Sequence, residues 1–371
     1  MKLKKIFALL LVFAMALSLA GCSSNENLDS IGDDTGTVEN QDTNDTDTTE
    51  NTGASDTETD PGDDGAAEPN EPEAQGFTMT YPESMVANGF ETLELDTVPE
   101  RIACMVTAPV FTLYEMGVPV IAAPTSTSTA YPEDLETTFI GSVAHEDFDI
   151  EIVVSLEPDL VIMSTSYADS HGATLDSLGI PVYYMSAGHT VSYDSVKEEA
   201  QCLINAFSLD EESTSRGEAI MQRFTDLENR LAEVRPTYEG KTVMVLQSGS
   251  TTMHYIQTER GTLASMAAMM GFTNVYENED ASMAQIDLEQ ALSYQPDLVL
   301  CVGAASTAEE HQALMEEAYA ENPDYWESID AIRNGDVIYL PISYIATSGI
   351  LVVDEIDALI DIIADHYATK D

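Results

Sequence analysis

From Phe77 onward, short apolar runs alternate with amphipathic stretches. Continuous apolar runs bounded by turn residues read as buried strands, and apolar positions three and four apart read as helix faces. Strands are predicted at Arg101–Val106, Val118–Ala122, Leu160–Met163 and Val182–Met185. Helices are predicted at Thr112–Met116, stopped by Gly117, at Glu151–Leu156, and in the stretch closed by Leu175–Gly179. Strands alternating with helices imply a parallel sheet covered on both faces.

The texture then changes. Tyr193–Val234 has no Pro and carries Ala200, Leu203, Ile204 and Phe207 at helical spacing. Asp210-Glu211-Glu212 is a helix-start signal for a second segment through Met221, Phe224, Leu227 and Leu231. Beyond Gly240 the alternation resumes, with strands at Thr242–Leu246, Leu298–Val302 and Val337–Leu340 and helices at Thr262–Met270 and Leu351–Ala364. The pattern is an α/β lobe, a long helical segment and a second α/β lobe. The boundaries read as 77–192, 193–236 and 237–371.

The N-terminus has a different character. Lys2, Lys4 and Lys5 precede the apolar run Ile6–Ala20, which is short for a membrane span. Leu19-Ala20-Gly21-Cys22 resembles the lipobox of bacterial lipoproteins, so residues 1–21 read as a signal peptide and Cys22 as the lipidated residue. Residues 23–76 are rich in Asp, Thr, Asn and Glu without Lys, Arg or an aromatic, a composition that cannot bury enough apolar surface to fold. From Cys22 to residue 76 the chain reads as a lipid attachment followed by an acidic stalk. Such a stalk suits a thick, Gram-positive-type wall, which places the protein outside the cytoplasm on the outer face of the cell membrane. Cys104, Cys202 and Cys301 lie in apolar contexts and read as small buried hydrophobes.

Charge narrows the classes further. The chain has 13 Lys+Arg against 67 Asp+Glu, a formal charge of -54. Seventeen of the acids lie in the stalk, and the folded part keeps 50 acids against 10 bases. That field opposes binding to nucleic acid or to anionic lipid surfaces, and it disfavours strongly anionic ligands unless a local base compensates. No Gly-x-Ser-x-Gly elbow and no His-Glu-x-x-His helix is present, so no hydrolase motif supports an enzyme.

One internal repeat links the two lobes. Glu151 is followed by Pro158-Asp159-Leu160-Val161-Ile162, and Glu289 by Pro296-Asp297-Leu298-Val299-Leu300, at the same spacing. Glu suits a helix start, Pro ends the helix, and Asp turns the chain into a strand. The repeat resembles the substrate-binding lipoproteins of ABC importers for iron complexes and vitamin B12 (ferric siderophores, haem, cobalamin). Pro99-Glu100-Arg101-Ile102, Ile140-Gly141-Ser142, Gly179-Ile180-Pro181-Val182, Gly271-Phe272-Thr273-Asn274-Val275 and Trp326 with Ile329, Ala331, Val337 and Tyr339 occur in that family's order. The resemblance covers about residues 95–365. It implies two Rossmann-like lobes with parallel sheets, bridged by one long α-helix, the class III periplasmic-binding-protein fold. It also implies a ligand in the interlobe cleft, a permease and its ATPase as partners, no catalysis, and a monomer. By position, Glu151 and Glu289 become the permease-docking carboxylates.

In parallel α/β sheets, ligands lie beyond the carboxyl ends of the strands. The loops predicted there hold His145, Tyr167, His171, His189, His254, Tyr255, Arg260 and Tyr344, while His311 and His366 fall in polar helices and read as solvated. Pro124-Thr125-Ser126, Tyr131-Pro132 and Thr258-Glu259 resemble the family's haem receptors. The position of their second-lobe axial His falls on Arg260. His145 with His254, Tyr255 or Tyr344 has the chemistry to ligate haem iron. Arg260 has the chemistry to pair with a propionate or a siderophore oxygen. The transported ligand is therefore read as haem or a ferric siderophore. Cobalamin is the close alternative, and a bare Zn or Mn receptor fits the scattered histidines poorly.

Overall fold

The computed structural model describes residues 76–126, 129–142, 149–186, 192–278, 280–286, 293–303 and 305–370. The leader, Cys22 and the acidic stalk lie outside them, as do His145, His189 and Glu289.

A small antiparallel ribbon comes first: β1 (Phe77–Met79) pairs with β2 (Leu93–Leu95) across helix α1 (Glu83–Ala87). The first lobe runs β3 (Ile102–Cys104), α2 (Ala108–Met116), β4 (Val120–Thr125), β5 (Thr138–Ser142), α3 (Ile150–Ser155), β6 (Leu160–Ser164), α4 (Ala173–Ser177) and β7 (Val182–Met185). Its sheet is parallel throughout, in the order β5-β4-β3-β6-β7. The apolar runs of β3 and β6 are covered on both faces, as a parallel sheet requires.

Two helices follow, α5 (Tyr193–Phe207) and α6 (Glu211–Tyr238). Helix α5 belongs with the first lobe: it packs on β1 and α2, and Phe207 meets Phe77 at 5.0 Å. The 28-residue α6, about 42 Å long at 1.5 Å per residue, carries the chain to the second lobe. Its start is fixed by a capping box, in which Asp210 Oδ1 accepts from Ser213 N–H (2.7 Å) and Ser213 Oγ accepts from Asp210 N–H (3.0 Å). Ile220, Phe224, Leu227 and Leu231 form its buried stripe.

The second lobe runs β8 (Thr242–Ser248), β9 (His254–Gln257), α7 (Thr262–Met269), β10 (Thr273–Asn274), β11 (Met283–Gln285), β12 (Leu298–Gly303), α8 (Ala308–Glu321), α9 (Pro323–Trp326), α10 (Asp330–Asn334), β13 (Val337–Leu340), α11 (Ser343–Ala346) and α12 (Leu351–Ala368). The expectation of a parallel sheet holds here for β10, β8, β12 and β13, whereas β9 runs antiparallel to both its neighbours, β8 and β11. The loop between β8 and β9 is closed by Gly249 N–H on Met253 C=O (3.1 Å), too short for the crossover that a parallel return needs. The polar residues Ser250–Thr252 hid this hairpin inside what reads as one long cleft loop.

A continuous apolar core runs from β3 and β6 through α2, α5 and α6 into β8, β12 and α12. Separate clusters fill the far face of each sheet. The internal repeat has a structural meaning. Asp159 accepts from Glu100 and Arg101 N–H (2.8 Å each) and fastens the start of β6 to that of β3. Asp297 accepts from Thr242 N–H (2.7 Å) and does the same for β12 and β8. Cys104 and Cys301 are buried and Cys202 half-buried; all three are free thiols.

Candidate functional site

The two sheets meet at their carboxyl ends. Thr129, beyond β4, donates through Oγ1 to Ala346 C=O, beyond β13 (3.2 Å). Gly349 adopts φ +55° against α2, where a Cβ would lie 2.7 Å from Ala108 C=O, so only glycine permits this approach. Arg223 of α6 closes the other side, with Nη1 on both oxygens of Glu115 in the first lobe (2.9 and 3.0 Å) and Nη2 on Asp354 in the second (2.7 Å). A cavity of about 10 Å³, the room of one water, lies in this seam among Thr112, Met185, Val196, Glu199, Gly349 and Ile350. Burial raises the pKa of Glu199, against the lowering effect of Ser186, which donates from both N–H and Oγ.

First-lobe cleft residues follow β6 directly. Ser164 Oγ accepts from Ser166 N–H (3.2 Å) and opens a 3-10 turn at Thr165–Tyr167, which passes into one π-helical turn at Ala168–Gly172. This irregular backbone leaves Tyr167 half-buried, with its ring 6.0 Å from that of His171. Both therefore sit at the sheet's carboxyl edge, where the sequence places them.

Second-lobe residues separate. Tyr255 is half-buried on β9, and Arg260 is exposed on the loop ahead of α7, which packs against α11 at the seam. Gln257 and Thr258 hold that loop. The Gln257 side chain donates to Gln247 Oε1 (2.9 Å) and accepts from Ala264 N–H (3.1 Å), while Gln257 C=O accepts from Asn274 Nδ2 (2.8 Å). Thr258 Oγ1 accepts from Arg260 N–H (3.1 Å) and donates to Ala281 C=O (2.7 Å).

His254 lies in the interior, not on a cleft loop. Its Nδ1 bonds Ser248 Oγ (2.8 Å), its Nε2 bonds Thr251 C=O (3.0 Å), and its ring stands edge-on to Trp326. Burial lowers its pKa, against the bond to Thr251. Tyr344 is buried as well, which drives its phenol upward, with Glu355 adding to the effect. His145 lies outside the described residues.

The reading of His311 as solvated is overturned: it is 0 % exposed, and neither ring nitrogen has a hydrogen-bond partner among the described residues. Burial brings it down to about 4, and nearby His254 adds to the shift. The sequence carried one signal: Ala308, Leu314, Met315 and Ala318 flank His311 with apolar positions on an otherwise acidic helix. His366 is half-buried beside Asp336 (3.7 Å).

Glu151 is exposed in the first turn of α3, where Asp149 Oδ1 accepts its N–H (2.8 Å). Among the described residues no group of His, Cys, Asp and Glu has the arrangement of a metal site, and no helix is long and apolar enough to cross a membrane.

A family model described as periplasmic binding protein matches residues 102–344. A comparison with curated proteins found no match. Three solved structures illustrate the likeness of fold. The iron uptake ABC transporter substrate-binding protein PiuA from Streptococcus pneumoniae is 18% identical with a TM-score of 0.60, covering 78% of this chain and 99% of that one. IsdE of S. aureus, solved with heme, is 19% identical with a TM-score of 0.53, covering 71% and 98%. The vitamin B12 binding protein BtuF of Vibrio cholerae is 18% identical with a TM-score of 0.55, covering 72% and 98%.

Proposed function

The chain belongs to the periplasmic binding protein family, and from that premise we propose that it is the extracytoplasmic receptor of an ABC importer. It captures an iron complex, haem or a ferric siderophore, between its lobes and delivers it to the permease and its ATPase. Cys22 carries the lipid, and residues 23–76 tether the lobes to the membrane. Glu151 and Glu289, one at each copy of the repeat, dock on the permease. The protein performs no catalysis and works as a monomer.

The observation that carries this reading is the seam. Thr129–Ala346 and Ala108–Gly349 bring the carboxyl ends of two α/β sheets face to face, the position where such sheets take ligands. Tyr167, His171 and Tyr255 supply half-buried aromatic surface near it, and Arg260 a guanidinium fork. His145 is the proposed first-lobe contact to iron if the complex is haem, and Tyr344 and His254 support the second-lobe loops from behind.

Calorimetric titration of the full chain with hemin, ferric siderophores, cyanocobalamin and Zn²⁺ tests the proposal. One-to-one saturation by an iron complex is expected. A folded chain that binds none of the iron complexes would refute it, and saturation by cyanocobalamin alone would transfer the receptor to corrinoids.

A further inference from the structure

We infer that the cleft selects a ferric complex whose chelator fills the iron coordination sphere and whose net charge is zero or positive, a ferric tris-hydroxamate. This inference rests on the receptor reading and sharpens its ligand.

The placement of cations carries it. Four of the ten bases in the folded part lie at the amino ends of the strands, facing away from the cleft. Arg101 holds the carbonyls of Leu156 and Glu157 ahead of β3, Lys241 lies over Tyr367 ahead of β8, and Arg333 and Lys370 pair with Asp330 and Asp336 ahead of β13. Five more, Lys197, Arg216, Arg223, Arg230 and Arg235, ride on α5 and α6, and the first four of these are in ion pairs. The remaining base, Arg260, is on the loop ahead of α7, which packs against α11 at the seam.

Acids have the opposite distribution. Several helices that begin at the carboxyl ends of strands carry them in their first turns: Glu151 on α3, Asp194 on α5, Glu309 and Glu310 on α8; Asp354 on α12 is paired with Arg223. Asp169 adds another on the π turn. These carboxylates cancel the positive helix ends that would otherwise attract an anion. Helices α2 and α7 lack such an acid; Ala108 at the start of α2 is packed against Gly349, and at α7 Gln257 already accepts the Ala264 N–H.

In the second lobe His254 has both nitrogens engaged and is buried, and Tyr344 is buried, so neither of these two presents an axial ligand to an incoming iron. A chelator that supplies all the iron ligands needs none from the protein. Three singly charged hydroxamates neutralise ferric iron, and a pendant amine makes the complex cationic. Three doubly charged catecholates leave it strongly anionic, and haem brings two carboxylates. Low-dielectric walls lined by one sign of charge concentrate ligands of the other sign and repel their own.

The test is a titration of the full chain with ferrioxamine B (cationic), ferrichrome (neutral), ferric enterobactin (anionic) and hemin, each also followed by stopped flow. Saturable binding of one or both hydroxamates is expected, at least roughly tenfold tighter than the catecholate or hemin. Raising salt from about 0.01 M to about 1 M shortens the screening length from about 30 Å to about 3 Å, and so slows ferrioxamine B association. The double substitution Glu309→Lys and Glu310→Lys, on an exposed helix start, narrows the gap between cationic and anionic probes. Catecholate or hemin binding as tight as the hydroxamates, or a gap that neither salt nor the double substitution moves, overturns the inference and leaves the receptor reading standing. A folded chain that binds none of the four overturns both.

Discussion

The two lobes share a plan but not an interior. Among the described residues, the buried polar side chain of the first lobe is Thr112, whereas the second buries Ser248, His254, Gln257, Asn274 and His311 along with other hydroxyls. The difference follows from topology. In the first lobe every strand is parallel, and regular strand–helix turns deliver the cleft loops. In the second, β9 is inserted antiparallel between β8 and the edge strand β11, and the loop that bears Arg260 leaves from β9. Apolar packing alone does not fix such a loop; Gln257 does, donating to Gln247 and accepting from Ala264 and Asn274.

The sharpest way to break the contrast is Gly303→Ala at the end of β12. A Cβ there would lie 2.2 Å from Ser248 C=O and 2.5 Å from the His311 ring, so backbone must move. A loss of about 3 kcal/mol is expected, read as a shift of the urea midpoint. A loss under about 0.5 kcal/mol would mean that this interior is looser than described.

Acid should separate the lobes by a similar amount. The folded pKa of His311, at about 4, lies below its unfolded value near 6.5. Between those values the unfolded chain binds more protons, so stability is full above about pH 6.5 and falls as pH drops toward about 4. The whole effect is about 3 kcal/mol, with His254 shifted in the same direction. Unfolding curves across that range should flatten in His311→Leu. An unchanged slope in the variant would assign the acid sensitivity to other groups.

The repeat predicts equality where the interiors predict difference. Asp159→Ala removes the acceptor for two backbone N–H groups, and Asp297→Ala removes one from the N–H and Oγ1 of Thr242. Each should lower stability by about 1.5 kcal/mol. A loss confined to one of them would show that the repeated sequence performs two different tasks.

Coupling between the lobes is weaker still. Arg223→Ala releases Glu115 and Asp354 together. These groups are partly exposed, so the stability change is about 1 kcal/mol or less. The distance between labels at exposed sites of the two lobes should broaden only slightly, because the core through α6 continues across both. A large opening would make Arg223, and not the shared core, the element that holds the lobe angle.

Much of this was legible in the sequence. Apolar runs marked β3, β6, β8 and β12, because a strand buried on both faces has little choice of residue, and β13 through its alternation of buried and half-buried positions. The long helix was visible in the spacing of Phe224, Leu227 and Leu231, although its break at Ser208–Asp210 assigns α5 to the first lobe. The β8–β9 hairpin was not legible: His254 and Gln257 are polar residues whose burial depends on partners distant in sequence. His311 differs: Leu314, Met315 and Ala318 marked its face of α8 as apolar, but a titratable ring among so many acids reads as solvated, and its contact with Gly303 is distant in sequence. The cleft loop at Tyr167 was found because it follows a buried strand without interruption.

Arg260 gives the smallest effect on stability and the most pointed one on function. It is exposed, and Thr258 Oγ1 accepts its backbone N–H, a bond that a side-chain substitution keeps. Arg260→Gln should therefore leave the unfolding midpoint within about 0.5 kcal/mol of the parent. Removing this base should weaken capture of a ferric complex about tenfold, the value of one charge-assisted hydrogen bond. Paired titrations of parent and variant with ferrichrome, alongside their urea curves, separate the two quantities. Lost stability with unchanged affinity would make Arg260 a support of the loop, and the ligand contact would then have to come from Tyr167, His171 and Tyr255.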